Sequence, residues 1–237
     1  MMETIYCIMI TNAKRKHFID SAIRNFQSQT YRYKTLIIVN HSLPLLLSTS
    51  LSNIHEFYVD KEKQHLTLGA LRNLALETFV PNGGLWMSFD DDDWRSPDYL
   101  LEFYKRFKYH KLDLLFMKNR LEYNKNNGYV FRSKFEDGRA FFLARKFDNI
   151  VVYDDLDTLE DMNIDTRYRD IGKKIRKFNN DPKMYIRVIH TTNTSVYVQP
   201  DKTTITKYVK HSNYQEFEAT QSEIEYVKRI FDNEGKF

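Results

Sequence analysis

The sequence predicts an α/β fold: a mostly parallel sheet flanked by helices, with a small antiparallel sheet and a C-terminal helix added in the second half. Three observations carry that prediction. Short, continuously apolar runs alternate with amphipathic stretches up to residue 117, the pattern of strands buried on both faces and covered by helices. After residue 118, Asn127-Gly128 and Asp137-Gly138 stand between short aromatic runs, as in antiparallel hairpins. The chemistry sits at the ends of the apolar runs, most visibly in the consecutive carboxylates Asp90, Asp91, Asp92 and Asp93.

Ile5 to Ile10 reads as the first buried strand, closed by Thr11-Asn12. Phe18, Ile19, Ala22, Ile23 and Phe26 then recur at helical spacing. Leu36 to Val39 is a second buried strand ending at Asn40-His41, and Ile54 to Val59 a short third one; the Ser42–Ser52 loop between them carries no clear pattern. Gly69 opens a helix with Leu71, Leu74, Ala75 and Phe79 on one face, closed by Pro81-Asn82-Gly83-Gly84. The strand Leu85 to Phe89 runs into the aspartates, and Pro97 opens a helix carrying Tyr99, Leu100, Phe103 and Phe107. Leu112 to Met117 is a further strand, Asp154 to Lys177 is charged and partly helical, and Met184 to Ile189 is a strand ending in His190. Ser212 to Asp232 is expected to be a packing helix with Phe217, Ile224, Val227 and Phe231 on its inner face. Residues 1–200 are expected to form one domain, with 201–237 a helical extension packed on it.

The composition is that of an ordinary globular chain, 42% hydrophobic and 29% charged. A net charge of +4 permits an anionic partner without requiring one. The single cysteine, Cys7, lies in the first apolar run, which excludes a disulfide framework or a cysteine-based zinc site within the chain. It points to a reducing compartment: a cytoplasmic location, or the host cytoplasm for a viral protein. No basic-then-apolar leader follows Met1, and no apolar run approaches the ~18 residues that span a bilayer. The expectation is a soluble protein with at most peripheral membrane contact.

Four adjacent carboxylates repel one another, and aspartate is a poor former of strand and helix, so folding does not ask for them. A hard divalent ion such as Mg²⁺ or Mn²⁺ does. The plain alternative is a solvated acidic loop. Ligands of parallel sheets gather at the carboxyl ends of the strands. Thr11, Asn40 and the aspartates all stand at such ends and are expected to cluster.

Several stretches in order resemble the family-2 glycosyltransferases of the GT-A fold, over about residues 4 to 200. They are Ile8-Met9-Ile10-Thr11-Asn12 with Gln29-Thr30-Tyr31, Gly69-Ala70-Leu71-Arg72-Asn73, Phe89-Asp90-Asp91-Asp92-Asp93 with Pro97, Leu159-Glu160-Asp161, and His190-Thr191-Thr192-Asn193-Thr194-Ser195. The resemblance implies a metal-dependent inverting transfer of a hexosyl or pentosyl group from a nucleotide-sugar donor, a UDP-sugar before others, with Mn²⁺ or Mg²⁺ as cofactor. It implies that Asp92 is the metal ligand, Asp90 the nucleotide-side carboxylate of the same site, and His190 a further ligand or diphosphate contact. Asp161 would be the general base, with Glu160 beside it. Thr11, Asn40, Arg72, Asp91 and Asp93 complete the donor side. Arg72 would meet a phosphate or hold the aspartate loop, and Asp93 would approach the donor sugar or cap the following helix. If the backbone stays extended, Asp91 points away from Asp90 and Asp92, as a packing or solvent-facing residue. The family commonly has Asp where Asn40 stands, which leaves the nucleotide open.

Between 163 and 187 stand Arg167, Arg169, Lys173, Lys174, Arg176, Lys177, Lys183 and Arg187 against Asp165, Asp170 and Asp181. A solvated face is the ordinary explanation. An anionic acceptor is the sharper one: DNA, a teichoic or lipid-linked phosphate, or a membrane surface, and, with Lys14-Arg15-Lys16 and interleaved aromatics, a hydroxymethylated DNA base as in phage. A surface glycan is the alternative to the DNA base. Two rival readings remain. One is a basic nucleic-acid-binding module without catalysis. The other is a sugar-phosphate nucleotidyltransferase, which would need a Gly-rich loop where Thr11-Asn12-Ala13-Lys14 stands.

Overall fold

The computed structural model describes residues 2–12, 15–40, 52–60, 65–135, 141–190 and 214–233. Lys14, His41, most of the Ser42–Ser52 loop, the Asp137-Gly138 turn and residues 191–195 lie outside the described residues.

Strands β1 (Ile5–Thr11), β2 (Lys34–Asn40) and β3 (Ile54–Tyr58) pair in parallel, and β4 (Leu85–Ser88) joins the other side of β1 in the same direction. Because successive side chains alternate, β1 feeds two cores at once. Its Ile5, Cys7 and Met9 pack under α1 (Lys16–Gln27) and α3 (Tyr99–Tyr109), meeting Ala22, Phe26, Phe103 and Phe107. Its Ile8 turns to the opposite face, where α2 (Leu68–Phe79) and α4 (Ile164–Asp170) supply Leu71, Ala75, Ile164 and Tyr168. This two-sided burial is what the uninterrupted apolar runs encode.

The sheet grows beyond β4 through β6 (Leu114–Met117), β9 (Phe142–Arg145) and β10 (Ile175–Phe178), giving seven strands in the order β10-β6-β9-β4-β1-β2-β3. All neighbours are parallel except β9, which runs antiparallel to both β4 and β6. The five-stranded second sheet has the order β12-β8-β7-β11-β5, built from β5 (Trp94–Arg95), β7 (Asn119–Asn124), β8 (Tyr129–Phe135), β11 (Tyr185–Ile189) and β12 (Tyr214–Glu218). A final helix, α5 (Gln221–Asn233), covers it with Val227 and Ile230 against Trp94, Leu121, Val130 and Ile186.

Two expectations change. Asn127-Gly128 does close the β7–β8 hairpin, with Gly128 at φ 71°. The strand after the second turn, however, is no partner of β8. Phe142, Leu143 and Ala144 of β9 are all buried, so this strand needs cover on both faces and finds it in the large sheet. The 212–232 segment is not one helix. Phe217 lies on β12 at 44% exposure, and the helix begins only after Thr220. The Glu223 carboxylate accepts the Thr220 backbone N–H at 2.8 Å and its hydroxyl at 3.0 Å. This Thr-x-x-Glu pairing fixes the helix start, whatever the spacing of Phe217 to Ile224 suggests.

Candidate functional site

The aspartate turn is where the chain leaves the large sheet for the small one. β4 ends at Ser88, Asp91 and Asp92 form a turn, and two residues later β5 pairs with β11. Thr11 and Asn40 are adjacent in the β1–β2 register, so the strand ends do cluster at one carboxyl edge. The four carboxylates go to four different tasks.

Asp91 is buried and does not face solvent, because the backbone turns there and is not extended. It accepts from the Thr11 hydroxyl at 2.8 Å and from Arg15, with Nη2 at 2.5 Å and Nε at 2.9 Å. Burial raises its pKa while Arg15 opposes the rise. Asp92 accepts from the same Arg15 Nη2 at 2.6 Å and meets His190 Nε2 at 3.1 Å. Burial pushes its pKa up, but the His190 hydrogen bond and the Arg15 charge outweigh this and hold it at about 2. Phe18 underlies the group, 4.6 Å from the His190 ring and 5.2 Å from the Arg15 guanidinium.

Asp93 turns inward. It accepts from the Tyr185 hydroxyl and from the Val188 N–H at 3.1 Å, pinning β11 to the turn. Burial and the neighbouring Asp92 raise its pKa to about 7. It does not cap α3, whose N-cap position is Asp98. Below the turn, the buried Arg95 donates to the carbonyls of Asp90 and Asp93 at 3.2 and 3.3 Å and lies 4.0 Å over Phe89.

Asp90 keeps a partly exposed carboxylate and accepts from Arg72 Nη2 at 2.9 Å. Arg72, the fifth residue of α2, also donates to Ser88 Oγ at 2.7 Å and pairs through Nε with Glu160 at 3.2 Å. The Gly-x-x-Arg-Asn spacing thereby acquires a physical meaning. A Cβ on Gly69 would stand 1.7 Å from the Asp154 carbonyl oxygen, so only glycine admits the 154–161 loop. Asn73 fastens the same loop by two bonds to the Tyr153 backbone, at 2.9 and 3.0 Å.

That loop carries Glu160 and Asp161. Of the carboxylates around them, Asp154 pairs with Arg167, while Asp155 and Asp157 accept from the Thr67 hydroxyl and the Leu68 N–H at the start of α2. Asp165 binds Arg169 and Lys177, each at 3.3 Å. Asp161 is set apart. Burial and the charge of Glu160 raise its pKa to about 7 against the pull of Arg72. Leu159, just before the pair, has a φ of 63°, a left-handed conformation that a branched residue adopts only under constraint.

Asn40 is fully buried and donates its amide to Glu56 at 3.0 Å. Thr11, Asp91, Asp92 and His190 thus form one group around Arg15, and Asp90, Glu160 and Asp161 another around Arg72. Sequence reading gave no site role to Phe18, Ser88, Arg95 and Tyr185, and took Arg15 only as part of a basic cluster toward an anionic acceptor. Arg15 could have been found as the cation between a strand end and a helix start that faces unneutralised aspartates.

For a divalent ion, Asp92 and His190 bring an oxygen and a nitrogen within 3.1 Å. Among the described residues no three His, Cys, Asp or Glu side chains converge on one point. Two protein donors fit an ion whose remaining ligands come from substrate phosphates and water, as is usual for Mg²⁺. Asp90 pairs with Arg72 Nη2 at 2.9 Å.

No protein-family model matches the chain, and no curated protein matches it by sequence. Solved structures do. The chain is similar to S. aureus TarS 1-349 in complex with UDP-GlcNAc, with 14% identity and a TM-score of 0.60 over 97% of this chain and 73% of that one. The complex of the same protein with UDP gives 14% and 0.56 over 97% and 72%. A longer TarS gives 13% and 0.57 over 96% of this chain but 43% of that one. The likeness shows that the chain shares the fold of these structures, a mostly parallel sheet flanked by helices with a second, smaller sheet. Among the described residues no helix is long and apolar enough to cross a membrane.

Proposed function

We propose that the chain is a metal-dependent, inverting glycosyltransferase that moves a sugar from a nucleotide-sugar donor to an acceptor hydroxyl. The observation that carries this reading is Arg72, which pairs with Asp90 of the aspartate turn and with Glu160 beside Asp161. A donor at the turn and a base on the loop would then face each other across one fixed side chain. The UDP-GlcNAc and UDP complexes of TarS support a UDP-sugar as the first donor to test.

In the proposed reaction the acceptor oxygen attacks the anomeric carbon from the face opposite the diphosphate, and the bond to the diphosphate breaks with its electron pair leaving on oxygen. Asp161 takes the acceptor proton, a role suited to a carboxylate whose pKa is raised to about 7. Asp90 and Arg72 border the nucleotide side, with Thr11 and Asn40 at the strand ends beneath the base. Mn²⁺ or Mg²⁺ held by Asp92 and His190 would neutralise the charge developing on the diphosphate. For the acceptor we favour a glycan hydroxyl over a hydroxymethylated DNA base. Half of the eight basic side chains between 163 and 187 pair with carboxylates of the chain itself: Arg167 with Asp154, Arg169 and Lys177 with Asp165, and Arg187 with Glu122.

A nucleotide-sugar panel with Mn²⁺ tests the reading through donor hydrolysis and transfer. The expected result is turnover of a UDP-sugar, with Asp92→Ala and Asp161→Ala each about 10²-fold slower or worse. Turnover unchanged in both variants would overturn the assignment. Tight binding to unmodified DNA without UDP affinity would favour the non-catalytic rival.

A further inference from the structure

We propose that Arg15 is a resident counter-cation of the aspartate turn that gives up Asp92 to a divalent ion and moves onto the diphosphate of the bound nucleotide. This rests on the glycosyltransferase reading of the site and adds a diphosphate-binding residue to it.

The argument starts from how unequally Arg15 is held. Asp91 engages Nε and Nη2 together, an arrangement that fixes the plane of the guanidinium. Asp92 engages Nη2 alone among the contacts of the described residues, at 2.6 Å. Thr11 and burial lock Asp91 in place from the other side. The contact to Asp92 can therefore break while Asp91 keeps the arginine at the crevice. Asp92 Oδ2 is also the atom nearest His190 Nε2, so an ion seated on that pair and the Arg15 nitrogen compete for one oxygen. A single carboxylate oxygen does not serve both at full strength. Arg15 satisfies the buried charge of Asp92, which would be costly to leave unpaired.

The charge balance then gives the displaced arginine a purpose. The diphosphate of a nucleotide-sugar carries two negative charges, which one divalent ion offsets. When the bond to the sugar breaks, the leaving nucleoside diphosphate gains a third. A guanidinium pivoting on Asp91 supplies the missing positive charge where it develops, and its fork geometry suits phosphate oxygens. Asp91 is then the anchor of a mobile arginine and not a donor contact itself.

The probe is Mn²⁺, followed by the electron paramagnetic resonance signal of the free ion, with the intact chain and Arg15→Gln compared without nucleotide and then with UDP. Arg15→Lys is the second variant, keeping the charge without the fork, and thermal unfolding checks that both variants fold. Removing the competitor should tighten Mn²⁺ binding about tenfold in Arg15→Gln without nucleotide. The same variant should bind UDP in the presence of Mn²⁺ about tenfold more weakly, with Arg15→Lys between the two. Mn²⁺ affinity that is unchanged or weaker in a folded Arg15→Gln overturns the proposal, as does unchanged UDP affinity. If the intact chain binds no UDP under any condition, the glycosyltransferase reading fails, and the Mn²⁺ comparison without nucleotide still decides whether Arg15 competes for Asp92.

Discussion

At the scale of single residues, the site is made by assigning neighbouring carboxylates to different partners. Asp161 is the clearest case because its environment opposes its charge: burial and Glu160 raise its pKa, Asp90 adds a smaller push in the same direction, and Arg72 pulls the other way. The consequence for stability has a definite sign. Between the ordinary aspartate value of 3.8 and about 7, the folded protein holds a proton on Asp161 that the unfolded chain has lost. Stability therefore falls as pH rises through that window. Asp161→Asn keeps the shape without the charge, so at pH 8 it should melt at a higher temperature than the parent while losing about 10²-fold or more in transfer. Melting curves at pH 5 and pH 8 check this; an equal or larger gain at pH 5 would contradict it. The carboxylates themselves were legible in the sequence, since four in a row have no folding reason. Their division was not. Extended-strand alternation misassigned Asp91, because the turn is set by Arg15 and Thr11 from another element.

At the scale of elements, α2 acts as a clasp. Gly69 lets the 154–161 loop approach, Asn73 ties it down, and Arg72 links it to the aspartate turn. Gly69→Ala should therefore push the loop away, costing about 1–3 kcal/mol as overpacking. It should lower kcat more than it weakens UDP binding, since the base moves and the aspartate turn does not. Thermal unfolding together with kcat and KM tests the split; a loss confined to UDP affinity would point to a different role for the loop. The C-terminal helix offers an independent check, because Glu223 bonds Thr220 and Arg132 and neither belongs to the site. Glu223→Ala removes the acceptor of both Thr220 bonds and should destabilise by about 1 kcal/mol with activity unchanged. That cap was readable as Thr220-x-x-Glu223, and a helical spacing drawn through Phe217 obscured it. Local signals of this kind are legible because their partners lie within one turn of chain. The site of β9 was not legible, because it depends on which strand edges remain open once the other strands have paired.

At the scale of the molecule, the aspartate turn joins two sheets, and the same residues that present chemistry on one side hold the architecture on the other. Asp93 fixes β11 of the small sheet, and Asn25 of α1 brackets the backbone of Arg95 with bonds of 2.7 and 3.0 Å. Arg95 itself joins the carbonyls of the turn to the rings of Phe89 and Tyr185 from a fully buried position. Ordinary patterning would assign a buried arginine next to Trp94 to the surface, so nothing local revealed it. Besides the adjacent turn and Phe89, its partners lie on α1 and β11, elements widely separated in the chain. If the junction couples the two sheets, Arg95→Met should retain much of the apolar packing yet leave the turn's carbonyls and Asp93 without their cation. The expected cost is about 3 kcal/mol, by analogy with other buried charges that lose a partner. Unfolding should remain a single cooperative transition shifted to lower temperature, and Mn²⁺-dependent UDP binding should weaken with it, because the turn carries Asp92. Calorimetry on the variant decides the point. Two separated transitions would mean that the small sheet folds independently and that the aspartate turn only bridges it to the large one. A single shifted transition means that the carboxylates are positioned by the whole fold, which is why four consecutive aspartates can take four different partners: Arg72 for Asp90, Arg15 for Asp91, His190 for Asp92 and β11 for Asp93.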